Sequence, residues 1–178
     1  MYNQSLVASL ISNLGTENTE TWAKGLVDNF ARKPQGNDRA QLMAVANGQA
    51  DIAIANTYYL GIMLSGKGGK EQQVAAAKLR IAFPNQTNRG AHVNISGGGI
   101  LKHSPNKENA EKFLEFLLTE EAQSHIVNNT FEYPILETVE PHELIAGFGT
   151  FNMDKTSVAD FGEYNPAAVK LMDRAGWK

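Results

Sequence analysis

Two adjacent tyrosines, Tyr58 and Tyr59, are the residues of this sequence whose type and position most clearly suggest chemistry. They follow the apolar run 50–55, which ends at Asn56. Its small and β-branched residues are typical of a buried strand in a parallel sheet, and ligands of open α/β sheets bind just beyond the carboxyl ends of strands. We therefore expect both phenols at a strand-to-helix turn. From this pattern alone, it stays open that one ring packs in the core and the other lies on the surface.

The composition excludes several other kinds of site. The 178 residues, 42% hydrophobic and 20% charged, suffice for one globular domain or parts of two. A net charge of −3 without a basic face argues against nucleic-acid binding. No apolar run approaches the roughly 20 residues that span a membrane, so membrane insertion is not expected. The absence of cysteine excludes disulfides and thiolate ligands, which disfavours zinc and iron–sulfur chemistry.

Helical and extended patterns alternate around the tyrosine pair. Apolar spacing predicts a helix over 5–14, a second from Thr19, and a third that Asp38 caps. Strands are predicted at 50–55, 79–83 and 92–96. This alternation predicts an α/β fold with a parallel or mixed sheet flanked by helices.

The second half of the sequence is predicted to be mainly helical. Asn106 is expected to cap a helix with one apolar stripe, and Thr119 to start the next. Asn165 is expected to be the N-cap of the last helix, with Pro166 at its first position. The stripe predicted after Asn106 consists of Ala110, Phe113, Leu114, Leu117 and Leu118.

The run DIAIANTYYLG at 51–61 resembles the ligand loop of the ferric-iron-binding proteins that serve bacterial ABC transporters. In that family, two adjacent tyrosines in this loop bind Fe(III). The chain is similar to the family in further segments, which occur in the same order: 2–8, 29–36, 92–97, 106–110, 131–134 and 173–177. The resemblance implies part of a two-lobed type II periplasmic-binding-protein fold.

The resemblance also implies how the chain is divided. Residues 1–89 are expected to be a portion of the second lobe that carries the tyrosine site. Residues 90–99 correspond to the hinge crossover, and residues 100–178 to the return to the first lobe and the C-terminal helices. The family is periplasmic, but no signal peptide is recognised after Met1, so we expect a C-terminal portion of a family member.

Three tyrosines are the metal ligands that the resemblance implies. Tyr58 and Tyr59 match the adjacent pair, and Tyr2 matches the third ligand of members that use three tyrosines. Fe(III) is a hard ion that prefers anionic oxygen ligands, which phenolates supply. Such members often add a small anion such as carbonate. Asn56 matches a position that hydrogen-bonds this anion in some members, so it is a candidate for the anion site or for the shell behind the ligands.

The expected function is therefore binding of Fe(III) and its delivery to the permease of an ABC importer. Two alternatives stay open: a solute-binding lobe for another small anion or a polyamine, and an effector-sensing domain of a transcription regulator. An enzyme is not expected, because no acid/base pair or nucleophile arrangement is recognisable. The four histidines show no metal-ligand spacing. An incomplete sheet would leave an open edge, so we expect self-association or a separate N-terminal half to cover it.

Overall fold

The computed structural model describes residues 2–177, which form nine α-helices and no strand. Within this range, the backbones of Ala91 and Met153 form a single parallel bridge. The helices are α1 Tyr2–Leu14, α2 Thr16–Asp28, α3 Asp38–Ala46, α4 Thr57–Leu64, α5 Lys70–Ala76, α6 Lys107–Leu117, α7 Glu120–Thr130, α8 Glu143–Ala146 and α9 Val158–Ala175.

The chain divides into two compact units, and each of them is discontinuous in sequence. Unit 1 comprises the described residues up to Pro34, then Ala82–Ile95, then those from Phe151 onward. Unit 2 comprises Gln35–Ile81 and Ser96–Thr150. The predicted assignment of 1–89, 90–99 and 100–178 to lobes and hinge stays a prediction.

Unit 1 is built on α1, α2 and α9, whose apolar faces meet. Val7 and Ala8 of α1 and Leu171 of α9 are fully buried at this junction. Trp177, just after α9, packs its ring 6.0 Å from that of Trp22 between centroids. Burial of these side chains is the main source of the unit's stability.

A buried carboxylate joins the three segments of Unit 1. Asp154 Oδ2 accepts hydrogen bonds from Ser9 Oγ at 3.0 Å and from the guanidinium of Arg89. Its Oδ1 accepts from the main-chain N–H of Thr156 at 2.9 Å. Gly90, with φ of 91°, permits the close approach beside these residues, since a Cβ there would lie 2.6 Å from the Met153 carbonyl carbon. The charge of Asp154 is therefore both paired and hydrogen-bonded, as a buried charge must be.

Unit 2 carries the tyrosine pair on α4. The buried core beneath α4 includes Leu42 of α3, Leu60 and Met63 of α4, and Ala75 and Ala76 of α5. These helices are short, so their mutual packing rather than their intrinsic propensity holds them in place.

The run 50–55 is irregular and partly exposed, so the prediction of a buried strand there was wrong. Its side chains still alternate: Ala53 and Ala55 pack against the core of Unit 2, whereas Ile52 is 83% exposed and Ile54 46% exposed. A strand requires a neighbouring segment with which it exchanges hydrogen bonds, and the run has the side-chain period of a strand without that ladder. The predicted strands at 79–83 and 92–96 are likewise not formed.

Two helix predictions also need correction. Asn37 rather than Asp38 caps α3, since its side chain accepts a hydrogen bond from the N–H of Ala40 at 3.2 Å. Asn165 is not an N-cap: α9 begins at Val158, capped by Ser157, and continues through Pro166. The cap and the long buried face of α9 outweigh the roughly 3 kcal/mol that an interior proline costs.

The apolar stripe of α6 is formed and is only partly buried. Asn106 is the N-cap by position and makes no side-chain capping bond, and α6 has no buried residue. Phe113 is 59% exposed and Leu118, just after the helix, is 57% exposed. Ala110, Leu114 and Leu117 of the same stripe are partly buried, so the stripe is covered along part of its width.

A helix that crosses a bilayer must be both long and apolar. None of the helices between residues 2 and 177 combines these two properties.

Candidate metal centre

The two tyrosine rings lie in direct contact at the start of α4. Their centroids are 4.3 Å apart, with an angle of 38° between the ring planes. Successive residues of an α-helix point about 100° apart, so both side chains must turn toward each other to make this contact. Tyr58 and Tyr59 are both partly buried. The structure therefore brings together two of the predicted ligands, side by side and still accessible.

The turn before α4 fixes where the pair begins. Asn56 is the N-cap residue, with extended φ and ψ of −75° and 141°. Its carbonyl accepts a hydrogen bond from the main-chain N–H of Tyr59 at 3.2 Å. The side chain of Asn56 does not cap the helix.

Asp38, which the sequence analysis treated only as a helix cap, contacts the predicted site. Its Oδ1 accepts a hydrogen bond from the main-chain N–H of Asn56 at 3.0 Å and one from the side-chain amide of Asn56 at 3.3 Å. The signal in the sequence was Asn37, because a second good N-cap residue leaves the neighbouring carboxylate free for another role.

A glycine within α4 lets the helix approach its support closely. A Cβ on Gly61 would lie 2.8 Å from Cβ of Phe131 and 2.9 Å from Cδ1 of Ile145. Phe131 has a positive φ of 63°, which is uncommon for a bulky residue. The ammonium of Lys67 lies 4.8 Å from the centroid of the Phe131 ring. Sequence reasoning missed this support, since its residues are distant along the chain.

The remaining predicted ligand lies in Unit 1. Tyr2 is the first residue of α1 and is 43% exposed. Tyr2 precedes the helix predicted over 5–14, whereas the structure places it in the first turn of α1. Its role as a third ligand stays a prediction.

Two of the four histidines, His92 and His142, make structural contacts. His142 Nδ1 accepts a hydrogen bond from the N–H of Leu144 at 3.1 Å and so caps α8. The ring of His92 packs against Phe161, at 5.1 Å between centroids. Burial lowers the pKa of His92, although Asn94 and Asp154 act in the opposite direction. Across residues 2–177, His, Asp and Glu form no group of three that could hold a metal ion.

The tyrosine pair suits a hard, highly charged cation. A free phenol loses its proton near pH 10, but coordination to such a cation removes the proton at lower pH. A phenol therefore becomes an anionic ligand when such a cation binds. Two adjacent phenolates supply two of the six oxygen ligands that commonly surround a ferric ion, and other groups must supply the rest.

A family model described as bacterial extracellular solute-binding protein matches residues 3–124. This match covers more than half of the chain, and the chain belongs to that family.

Among individual relatives, the chain is 50% identical to iron uptake protein A1 of Synechocystis over 99% of its own length and 49% of the relative. It is 30% identical to the major ferric iron-binding protein of Neisseria meningitidis over 97% of its length and 50% of that protein. The chain thus spans about half the length of the curated relatives it matches. The relatives named here are iron-uptake and iron-binding proteins, which confirms the predicted resemblance and agrees with the expectation that the chain is not an enzyme.

Solved structures give the same result for the fold. A Trichodesmium protein determined in complex with iron and citrate superposes with a TM-score of 0.93 at 52% identity, covering 99% of this chain and 56% of that one. The ferric binding protein of Campylobacter jejuni superposes with a TM-score of 0.94 at 40% identity, with the same coverage. The chain therefore has the fold of the matched part of these binding proteins, whereas the predicted sheet is not formed within residues 2–177. The two alternative functions are not favoured by these relatives.

Proposed function

We propose that this chain binds Fe(III) through the phenolates of Tyr58 and Tyr59. The contact between the two rings at the start of α4 carries the proposal, because it offers two hard oxygen donors side by side. The names of the relatives support the same ion, since they describe iron uptake and ferric-iron binding.

Further ligands are proposed on the sequence resemblance alone. Tyr2 is the proposed third phenolate. A small anion such as carbonate is proposed to complete the coordination, and the iron and citrate complex of the Trichodesmium protein supports an oxygen-rich anion in general. Asn56 keeps its two candidate roles, as an anion donor or as a residue behind the ligands.

We propose a cellular role for a full-length protein of the kind that the relatives represent. That protein is a periplasmic carrier that delivers Fe(III) to the permease of an ABC importer. Residues 1–89 are proposed as part of its second lobe, 90–99 as the hinge crossover, and 100–178 as the return to the first lobe. The family description as an extracellular solute-binding protein supports this role.

An optical titration tests the iron site directly. Adding Fe(III) with bicarbonate to the chain at neutral pH is expected to give a visible absorption band from charge transfer between phenolate and iron. Tyr58→Phe and Tyr59→Phe should each weaken the band and lower the affinity. Tyr133→Phe is the matched control, because Tyr133 also lies in Unit 2 but outside the proposed site.

Two results would contradict the proposal. A parent chain that stays colourless through the titration does not bind Fe(III) by phenolates. A Tyr133→Phe variant as impaired as Tyr59→Phe would mean that the site lies elsewhere.

A further inference from the structure

We propose that Asp38 is a positioning residue of the tyrosine site, and that its carboxylate occupies the place beside Asn56 where a free anion would otherwise bind. This inference rests on the proposed binding of Fe(III) by Tyr58 and Tyr59. It assigns a role to a residue that is not itself a metal ligand.

Asp38 binds the turn that precedes the two tyrosines through hydrogen bonds. Its Oδ1 accepts from the main-chain N–H of Asn56 at 3.0 Å and from the Asn56 side-chain amide at 3.3 Å. Asn56 is the N-cap of α4, and Tyr58 and Tyr59 lie in the first turn of that helix. The carboxylate therefore fixes both the backbone and the side chain of the residue from which the tyrosine helix starts.

The carboxylate is not needed for the helix to which Asp38 belongs. Asn37 already caps α3, by accepting a hydrogen bond from the N–H of Ala40 at 3.2 Å. The first turn of α3 nevertheless favours a negative charge, because the helix dipole is positive there. Asp38 thus lies at the positive end of its own helix while it accepts hydrogen bonds from the cap residue of the next.

This arrangement changes the role of Asn56. An anion beside Asn56 would use the main-chain N–H and the side-chain amide as donors, and the main-chain N–H and one N–H of the amide already donate to Asp38. A second anion would also meet the negative charge of Asp38 at close range. Asn56 therefore acts as a residue behind the metal ligands and not as an anion donor. The proposed anion binds away from it. The same negative charge favours a trivalent cation nearby.

Two substitutions separate the geometry from the charge. Asp38→Asn keeps the size and one acceptor oxygen but removes the charge, whereas Asp38→Ala removes both. Asp51→Asn is the matched control, since Asp51 is an exposed carboxylate shortly before Asn56 in the sequence. Fe(III) binding is measured against a competing chelator, with the visible band recorded in the presence and absence of bicarbonate.

We expect Asp38→Ala to lower the Fe(III) association constant about 10–100-fold, as loss of groups that orient ligands typically does, and to shift the visible band. Asp38→Asn should lose less affinity, and bicarbonate should raise its affinity by a larger factor than that of the parent. The reason is that the carboxylate charge, which repels an anion beside Asn56, is then absent. Asp51→Asn should match the parent in all three measurements.

The outcomes distinguish this inference from the proposed function. If the parent binds with its visible band, and both Asp38 variants keep the parent's affinity, band and bicarbonate response, the role of Asp38 is wrong and the iron site stands. The role is also wrong if affinity falls only in proportion to thermal stability while the band stays unchanged. A parent without a band overturns both proposals. Circular dichroism checks folding, and the near-isosteric Asp38→Asn decides the matter if Asp38→Ala does not fold.

Discussion

Gly61 and Phe131 lie so close that the structure leaves no room for a side chain at residue 61. A Cβ there would be 2.8 Å from the Phe131 Cβ, and Cδ1 of Ile145 would block it from a second direction at 2.9 Å. Phe131 and Ile145 are themselves buried, at 1% and 0% exposure, so they cannot move aside easily. This contact packs α4 against Phe131 and Ile145 at the residue after Leu60. It therefore fixes the position of the tyrosine pair at the start of the helix.

Gly61→Ala is therefore expected to destabilise the protein by about 1–3 kcal/mol, as overpacking of a core does. It should also weaken the visible iron band by displacing α4. Urea denaturation measures the first effect and the optical titration the second.

Gly162→Ala serves as the control for this substitution. Gly162 lies inside α9, with open space where a Cβ would stand. Alanine there should stabilise the helix by about 0.5–1 kcal/mol, since glycine is the poorer helix former. A Gly61→Ala protein as stable as the parent would show that the contact is looser than described.

Asp154 makes the stability of Unit 1 dependent on pH. Burial alone would raise the pKa of Asp154, but hydrogen bonds from Thr156 and Ser9 and the charge of Arg89 outweigh it and hold the pKa below its ordinary value. A carboxyl with a lowered folded pKa stabilises the protein fully above its unfolded pKa of about 3.9. That contribution is lost as the pH falls through the lower folded value.

Asp154→Asn should accordingly cost about 3 kcal/mol at neutral pH, because Arg89 then lacks its buried partner. The variant should also lose less stability than the parent on acidification below pH 4. Thermal unfolding at several pH values measures both effects. Asp28→Asn, at an exposed carboxylate on α2, should follow the parent at every pH; an Asp154→Asn curve that runs parallel to the parent's would contradict the assignment.

The two exposed residues of the α6 stripe predict self-association. Phe113 and Leu118 present large apolar side chains to solvent, and burying them between two copies would remove that surface from water. Phe113→Glu with Leu118→Glu should shift the chain toward monomer without loss of stability, since neither residue is buried. Light scattering at micromolar concentration measures the mass.

Val169→Glu is the matched control for the added charge. Val169 is also exposed, at 41%, but lies on α9 of Unit 1. It should leave the association unchanged. A parent chain that is already monomeric at micromolar concentration would contradict the prediction.

The sequence by itself determined the tyrosine pair, the helices and the family. Tyr58 and Tyr59 are adjacent, so their proximity needs no fold, and the apolar spacing of α1 and α9 defines their buried faces. Motif order over the chain sufficed for the resemblance, which the relatives confirm.

Only the tertiary structure decided what surrounds the pair. The Asp38–Asn56 contact joins residues 18 positions apart, and the Gly61–Phe131 contact joins residues still farther apart. Neither is visible in local spacing, because local patterns report which face of an element is apolar and not what lies against it. The same reason explains the error at 50–55. This run has the pattern of a buried strand, but a strand also requires a neighbouring segment, which a pattern in one segment cannot specify.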